Sequence, residues 1–331
     1  MKPSDLAGYL EFCINNNFPA LIVGRPGIGK TDIVKNAATS AGAFLIHSHP
    51  VVSDPTDYKG LPFPKDNGTA QFLPYGELSE IIKTKKKTIY FIDDLGQASP
   101  GVQAACMQLI LGRRINGHLI SDWVTFIAAT NRREDMAAVT GILEPVKSRF
   151  SIVKLDVDID DWIQWALSNN MPVELIAFIR FRPDLLNGFA PSRDITNSVS
   201  PRTIATVGKQ QAAGLPPKYE FEAFAGIAGE AFAIEYKGFL QLFRQIPSLE
   251  DILKHPNTAP IPKDPGVIYA LTIALAHQAT DHTIAAICDY ITRLPDEHAV
   301  ACMKYATTKN AGIANNRAYI KWAAKNAALL V

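Results

Sequence analysis

Residues 24–31 read Gly24-Arg25-Pro26-Gly27-Ile28-Gly29-Lys30-Thr31. This stretch fits the pattern GxxxxGKT, and the residues on either side of it fit the same interpretation. The apolar run 21–23 is typical of a buried strand, and apolar residues recur at helical spacing from Ile33 to Ala41. Glycines let the backbone curl so that successive amide N–H groups and the start of the helix point at one anion. The stretch therefore predicts a strand, an anion-binding loop and a helix, in that order.

The last two residues of this stretch carry the chemistry that such a loop supplies. Lys30 is expected to reach the β- and γ-phosphates of a nucleotide, and the Thr31 hydroxyl is expected to ligate magnesium. We therefore treat residues 24–31 as candidate nucleotide contacts, with Thr31 also a candidate metal ligand. The alternative is a glycine-rich turn between a strand and a helix that binds no nucleotide.

Length and composition are those of an ordinary globular protein with more than one domain. The chain has 331 residues, of which 47% are hydrophobic and 20% charged, and this length suggests roughly two domains. The formal net charge of +1 argues against a strongly electrostatic partner such as bulk DNA or an anionic membrane. The four cysteines form no CxxC pair, and no uncharged apolar run reaches about 18 residues. These features predict a soluble cytoplasmic protein with reduced thiols.

Short apolar or β-branched runs alternate with helical periodicity in the first half of the chain. The runs cover residues 20–23, 43–47, 88–92, 124–129 and 151–155. Such alternation predicts an α/β fold with a five-stranded parallel sheet. The ligand site of such a sheet lies at the carboxyl ends of its strands.

After the fifth run the sequence pattern changes to helices. Apolar residues recur at helical spacing from Trp162 onward, no convincing strand follows, and the Pro216-Pro217 pair marks a junction. We therefore predict an α/β nucleotide-binding core over residues 1–156, a helical lid over 157–215 and an all-α C-terminal domain over 216–331.

Two carboxylates follow the third apolar run. Asp93 and Asp94 come directly after residues 88–92. In phosphate-loop enzymes one such carboxylate holds the magnesium shell, and the next orients or deprotonates the attacking water. The alternative is that the pair only caps the helix that starts near Pro100.

An amide follows the fourth apolar run. Asn131 comes shortly after residues 124–129, so a parallel sheet places it at the same edge as the two carboxylates. An amide beside a γ-phosphate can donate to a phosphate oxygen and hold the lytic water at once. Asn131 is therefore a candidate catalytic residue.

The order of these motifs resembles that of the AAA+ ATPases. The motifs are the loop at 24–31, Asp93-Asp94 after a strand, Ala-Ala-Thr-Asn-Arg at 128–132 and Ser-Arg-Phe at 148–150. Within the AAA+ proteins the chain resembles the MoxR-like group, which is related to dynein-type modules. Three details favour that group: the GRPGIGKT form of the loop, the stretch 57–62, and a hairpin over 113–120 with the turn dipeptide Asn116-Gly117. The resemblance covers about residues 15 to 215.

The resemblance implies a role for each residue that matches. Lys30 and Thr31 would bind the phosphates of ATP and magnesium, and Asp93 would support the metal. Asn131 would be the first sensor of the nucleotide. Where the family usually has Glu, this sequence has Asp94, whose shorter side chain can hold water less closely.

Two arginines complete the site that the resemblance implies. Arg149 looks like the arginine finger, which is offered to the ATP of a neighbouring subunit, and Arg202 in the lid looks like the second sensor. Because no single subunit then completes its own site, the resemblance implies a homo-oligomeric ring, expected to be a hexamer. Each assignment has an alternative. Arg149 could form only a surface ion pair, Arg202 could only start a helix, and Arg132 and Arg133 compete as fingers.

The resemblance also implies what the ring acts on. In MoxR-like proteins, ATP cycles remodel or activate a protein partner, often one with a von Willebrand factor A domain. We therefore expect a chaperone-like ATPase whose insertion Val51 to Tyr75 and hairpin Arg113 to Ser121 face the client or the pore. Two alternatives stay open: a nucleic-acid-directed motor or loader, and a slow nucleotide-gated scaffold in which Asp94 limits turnover.

Two further clusters are not expected to bind ligands. The lysines at 83, 85, 86 and 87 occupy a turn before the Asp93 strand, where a solvated turn is the simpler interpretation. His47 and His49 would face one way on a strand, but no cysteine or third histidine lies nearby to complete a metal site.

Overall fold

The computed structural model describes residues 1–135, 141–190 and 194–327. They form two compact units. The first is Met1–Asp158 with a short segment that begins at Phe189, and the second is Ile159–Gly188 with the chain from Asp194 onward. The second unit holds residues on both sides of Pro216-Pro217, and the division between a lid and a C-terminal domain stays a prediction.

The first unit is an α/β fold. Its helices are α1 (Pro3–Asn16), α2 (Lys30–Ser40), α3 (Pro55–Lys59), α4 (Gly76–Lys83), α5 (Pro100–Gly112) and α6 (Glu144–Lys147). Its strands are β1 (Ala20–Val23), β2 (Phe44–Ser48), β3 (Leu61–Pro64), β4 (Ala70–Leu73), β5 (Thr88–Ile92), β6 (Arg114–Ile115), β7 (His118–Leu119), β8 (Val124–Thr130) and β9 (Ser151–Lys154).

Five of these strands form one parallel sheet in the order β2-β5-β8-β1-β9. The five predicted strands are thus confirmed, each within one residue of its predicted ends. Strands β1, β5 and β8 lie in the interior of the sheet, and their carboxyl ends lead directly into the glycine-rich loop, Asp93-Asp94 and Asn131.

Side chains of the central strands alternate between two apolar layers, as the period of a strand requires. Leu21, Tyr90 and Phe126 belong to one layer, which packs against α4 and α5. Ile22 and Phe91 belong to the other, which packs against α1 and α2. Because both faces of the sheet are covered, these strands read as continuous apolar runs in the sequence.

Two small antiparallel hairpins interrupt this plan. In the hairpin β6–β7, the turn residues Asn116 and Gly117 have φ of 47° and 89°, as a two-residue turn of this kind requires, so the predicted hairpin is confirmed. In the insertion Val51 to Tyr75, the structure adds a short helix, α3, and a second hairpin, β3–β4. The sequence pattern did not predict these elements.

The described part of the second unit contains helices and 3₁₀ turns, and no strand, which confirms the predicted helical C-terminal half. The helices are α7 (Ile159–Ser168), α8 (Val173–Phe181), α9 (Pro201–Ala212), α10 (Glu220–Ala228), α11 (Glu230–Phe243), α12 (Leu249–Lys254), α13 (Pro265–His277), α14 (Ile284–Ile291), α15 (Asp296–Lys309) and α16 (Arg317–Lys325). Aromatic rings of α8 and α11 pack together in the interior, among them Phe178, Phe232 and Tyr236. These aromatic residues are core, as the sequence pattern indicates.

Two general expectations concern the whole chain. Across the described residues, none of the helices has the length and apolar character needed to cross a bilayer. All four cysteines are buried thiols, and burial raises the pKa of Cys106 and of Cys288 to about 12.

Candidate nucleotide-binding site

The glycine-rich loop connects β1 to α2 through backbone conformations that favour glycine. Gly27 and Gly29 have φ of 73° and 92°, in the region that other residues rarely adopt. At Gly24 a side chain would meet the loop itself, because a Cβ would lie 2.6 Å from Ile28 Cδ1 and 3.2 Å from the Leu155 carbonyl oxygen. Helix α2 begins at Lys30, directly after Gly29, so the N–H groups of its first turn point toward the space that the loop surrounds.

Lys30 is the buried cation of the site. Its side chain is 7% exposed, and its ammonium donates to the carbonyl oxygens of Gly24 and Arg25 at 3.0 and 2.9 Å. It also donates to Asn131 Oδ1 at 2.6 Å. Three neutral oxygens thus accept from the ammonium. A polyanion placed in the loop would compete with these neutral acceptors, because hydrogen bonds to charged acceptors are the stronger ones.

Thr31 and Asp93 supply oxygen ligands beside this cation. The Thr31 hydroxyl donates to Asp93 Oδ2 at 2.8 Å, and Asp93 is 7% exposed at the end of β5. The same Oδ2 atom lies 3.1 Å from His47 Nε2. A hydroxyl and a carboxylate at this spacing fit the oxygen preference of Mg²⁺, so Thr31 and Asp93 are the residues that would hold the ion.

Asn131 joins Lys30 to the second carboxylate. While its Oδ1 accepts from Lys30, its Nδ2 donates to Asp94 Oδ1 at 3.2 Å and to Gln97 Oε1 at 3.3 Å. Three predicted residues, from α2, the end of β5 and the end of β8, therefore form one polar chain. An amide is suited to this place because it accepts on one side and donates on the other.

Asp94 has an unusual backbone. Its φ is 54°, in the left-handed region, where short polar residues such as Asp and Asn are tolerated best. Helix α5 is capped by Ser99, whose side chain accepts from the backbone N–H of Val102 at 3.3 Å. The alternative in which the Asp pair caps that helix is therefore wrong.

The arginine candidates lie in different surroundings. Arg149 follows α6 and is exposed, and within the described parts of the chain the structure shows no ion pair to its side chain. Arg132 is held by its own chain, in a two-pronged pair with the buried carboxylate of Asp135 at 2.9 and 2.5 Å. Burial alone would raise the pKa of Asp135, but the hydrogen bonds and charge of Arg132 outweigh it and lower that pKa. Arg132 is thus a weaker finger candidate than Arg149.

Arg202 belongs to the second unit. It is the second residue of α9, directly after Pro201, and the helix is capped by a reciprocal pair between Ser200 and Thr203. Arg202 is exposed, and its role as second sensor stays a prediction.

Two polar neighbours of the site were not predicted. Gln97 lies on the 3₁₀ turn Leu95–Gln97 and contacts Asn131, and His47 contacts Asp93 from the adjacent strand β2. The signal for His47 was its position near the carboxyl end of a parallel strand, which places it at the ligand edge of the sheet. No comparable sequence signal marks Gln97, because a single 3₁₀ turn has no periodicity.

The chain also matches known proteins. Residues 20–153 match the family described as "ATPase family associated with various cellular activities (AAA)". This range includes the loop, Asp93-Asp94 and Asn131, so the chain contains an AAA-family domain. A search of curated proteins finds no sequence match.

Solved structures give a weaker likeness. A RuvB variant from Thermotoga maritima has 15% identity, with 82% of this chain and 79% of that chain covered and a TM-score of 0.41. NtrX from Brucella abortus has 11% identity, with 93% and 68% covered and a TM-score of 0.42. At this level of overlap, no inference about function rests on either structure.

Proposed function

We propose that this chain, which contains an AAA-family domain over residues 20–153, is a ring-forming ATPase that remodels or activates a protein partner. The observation that carries the proposal is the polar chain Lys30–Asn131–Asp94 beside the Thr31–Asp93 pair. These five residues come from α2 and from the ends of β5 and β8, and they meet next to the glycine-rich loop.

The arrangement supports a division of labour for ATP hydrolysis. Lys30 would balance the charge of the β- and γ-phosphates, with the backbone N–H groups of the loop as further donors. Asp94 would orient or deprotonate the attacking water. Asn131 would hold the side chains of Asp94 and Lys30 in position through its hydrogen bonds to both. Magnesium, which Thr31 and Asp93 would hold, would neutralise part of the phosphate charge.

The exposed position of Arg149 supports a site shared between subunits. An arginine that acts in trans must reach beyond its own chain, and Arg149 is at the surface after α6. The resemblance to MoxR-like proteins favours a closed ring, expected to be a hexamer. In that ring each Arg149 would face the ATP of the next copy, and the resemblance gives Arg202 the role of second sensor.

Two exposed hairpins support a protein as the partner. The β3–β4 hairpin presents apolar side chains to solvent, with Leu61 50% and Phe63 59% exposed. It contacts the β6–β7 hairpin, where His118 Nε2 lies 3.2 Å from the carbonyl oxygen of Phe72 in β4. Asn116 Nδ2 also donates at 2.7 Å to the carbonyl oxygen of Lys59, the last residue of α3. Adjacent exposed apolar residues mark interaction surfaces in soluble proteins. A client with a von Willebrand factor A domain is the class that the MoxR-like resemblance favours.

A slow, nucleotide-gated scaffold is the second candidate, and the short side chain of Asp94 is the observation that favours it. The structure adds a complication to the obvious test, Asp94→Glu, because Glu at a φ of 54° adds backbone strain. The variants Asp94→Glu and Asp94→Asn should therefore be compared for ATP turnover together with nucleotide affinity. A large gain with Glu at unchanged affinity would favour the scaffold. A loss with both variants would favour the ATPase.

The proposal is tested by Lys30→Ala, with Lys35→Ala as its matched control. Lys35 lies on the same helix with its side chain exposed, so its loss should change little. Lys30→Ala should abolish ATP binding or reduce turnover at least about 100-fold, since it removes the cation of the loop. Turnover that persists in Lys30→Ala, or that falls equally in Lys35→Ala, would refute the loop as the site.

A further inference from the structure

Three side chains beside the nucleotide site offer ligand atoms to a metal ion. They are His47, His49 and Asp93, and one ligand atom of each lies within 4.8 Å of the others. His47 is partly buried at the end of β2, His49 is exposed, and Asp93 is buried at the end of β5. The sequence pattern led us to expect no metal site at His47 and His49, because the third ligand atom comes from a different strand.

The two histidine rings lie close together, and His47 is packed against the sheet. Their ring centroids are 4.1 Å apart, and the His47 ring stacks on Phe91 with centroids 5.0 Å apart. His47 Nε2 is already 3.1 Å from Asp93 Oδ2. Two ligands of one zinc ion lie at most about 4 Å apart, so less than about 1 Å separates the present spacing from that of a bound ion, and His49 is an exposed side chain.

The donor types select the class of metal. Imidazole nitrogens suit zinc and neighbouring transition metals, whereas Mg²⁺ prefers oxygen ligands. Two nitrogens and one carboxylate oxygen are a ligand set that binds Zn²⁺, with a fourth position left for water.

We propose that His47, His49 and Asp93 form a site for a divalent transition-metal ion of the zinc class. The site is distinct from the magnesium position in its ligands, although it shares Asp93 with it. Because Asp93 Oδ2 is also the acceptor of Thr31, a metal on the histidine side would compete with Thr31 for that oxygen. The ion binds without nucleotide, so the site does not depend on the proposed ATPase function.

The test uses the full chain, stripped of metal with a chelator and kept free of nucleotide. Zn²⁺ is titrated by calorimetry, and Co²⁺ is titrated by its visible absorption, which reports nitrogen ligands and a low coordination number. We expect one Zn²⁺ per chain, and Mg²⁺ bound far more weakly. His47→Asn and His49→Asn should each weaken Zn²⁺ binding at least about tenfold, since even residues that only orient a ligand contribute that much.

Two control variants separate the outcomes. His282→Asn removes an exposed histidine of the second unit and should leave Zn²⁺ binding unchanged. Lys30→Ala should also keep Zn²⁺ binding, even where it loses ATP. Equal Zn²⁺ affinity in the wild type, His47→Asn and His49→Asn would overturn the proposal, as would equal loss in His282→Asn. If His47→Asn fails to fold, His49→Asn decides the matter, because its side chain is exposed.

Discussion

Two regions of the first unit reverse the usual distribution of polar and apolar residues. At the nucleotide edge of the sheet, defined by Lys30, Asp93 and Asn131, charged and polar side chains are buried and joined by hydrogen bonds. On the β3–β4 hairpin, apolar side chains such as Phe63 are exposed. Burying polar groups costs free energy unless they are paired, and leaving apolar groups exposed forgoes the free energy that their burial would provide. Both reversals fit the proposed function, in which a small anion binds at the edge and a protein partner contacts the hairpin.

The largest expected effect tests whether the nucleotide edge is complete within one chain. Arg149→Ala should leave ATP binding intact and reduce turnover by about 10³-fold, the contribution of an arginine supplied in trans. Mixing it with the Lys30→Ala variant should restore part of the turnover, since one interface in the mixed ring then has both residues. Lys147→Ala, two residues away and also exposed, is the matched control. If mixing the two variants restores no turnover, Arg149 does not act on the ATP site of a neighbouring copy.

The next effect compares the same substitution in the sheet and in the hairpin. Phe91→Ala empties a fully buried position and should lower the free energy of unfolding by about 3 kcal/mol. Phe63→Ala, at a side chain 59% exposed, should lower it by less than about 1 kcal/mol. Denaturant unfolding of both variants measures the difference. A large loss for Phe63→Ala would mean that the hairpin is core, and the proposal of a binding surface would fail.

A third prediction concerns Asn131, whose amide links Lys30 to Asp94. Asn131→Ala should reduce turnover by about 100-fold while nucleotide affinity changes little, because the amide acts between Lys30 and Asp94. Gln97→Ala removes a side chain that accepts from the Asn131 amide at 3.3 Å, and its effect on turnover should be smaller, about tenfold or less. Steady-state kinetics with separate measurement of ATP affinity checks both. Equal losses of turnover in Asn131→Ala and Gln97→Ala would contradict the larger role given to Asn131.

The smallest expected effect concerns the buried cysteines, which should not react with a thiol reagent in the folded protein. Burial raises the pKa of Cys106 and Cys288 to about 12, so both thiols should stay protonated and unreactive toward a thiol reagent at pH 8. Asn67→Cys, at the exposed tip of the β3–β4 hairpin, should react at once. In denaturant all the thiols should react. Rapid reaction of the native wild-type chain would show that its core opens under these conditions.

The same raised pKa values predict a trend in stability with pH. Unfolded thiols ionise near pH 8.5, about their ordinary pKa, while the folded ones remain protonated. The folded state therefore binds more protons above that pH, and the free energy of unfolding should fall as the pH rises. Unfolding midpoints between pH 7 and 10 measure this trend.

The sequence specified the nucleotide edge far better than the hairpin surface, for physical reasons. The strands of the parallel sheet are buried on both faces, so residues such as 88–92 form uninterrupted apolar runs that are easy to recognise. Asp93 and Asn131 could then be placed together because parallel strands end at one edge. In β3, by contrast, Pro62 and Pro64 argue against a strand, and they are tolerated only because this strand lies at an edge of its hairpin.

Within the nucleotide edge, side-chain contacts were harder to predict than positions. The Asn116-Gly117 turn and the glycine-rich loop need particular backbone angles, which the residue types reveal. The contact of His47 with Asp93 depends on the order of strands β2 and β5, which no local pattern encodes. The left-handed backbone of Asp94 was likewise invisible, although it gives a structural reason for Asp where the resemblance leads one to expect Glu.

Strand β8 runs between the nucleotide edge and the base of the β6–β7 hairpin. At its start, the Val124 carbonyl accepts from Arg113 at 2.9 Å, at the base of the β6–β7 hairpin, and its last residue, Thr130, precedes Asn131. All seven of its residues are buried, and closely packed interiors have little compressibility. The strand is about 23 Å long, and its close packing fixes the distance between Asn131 and the base of the β6–β7 hairpin.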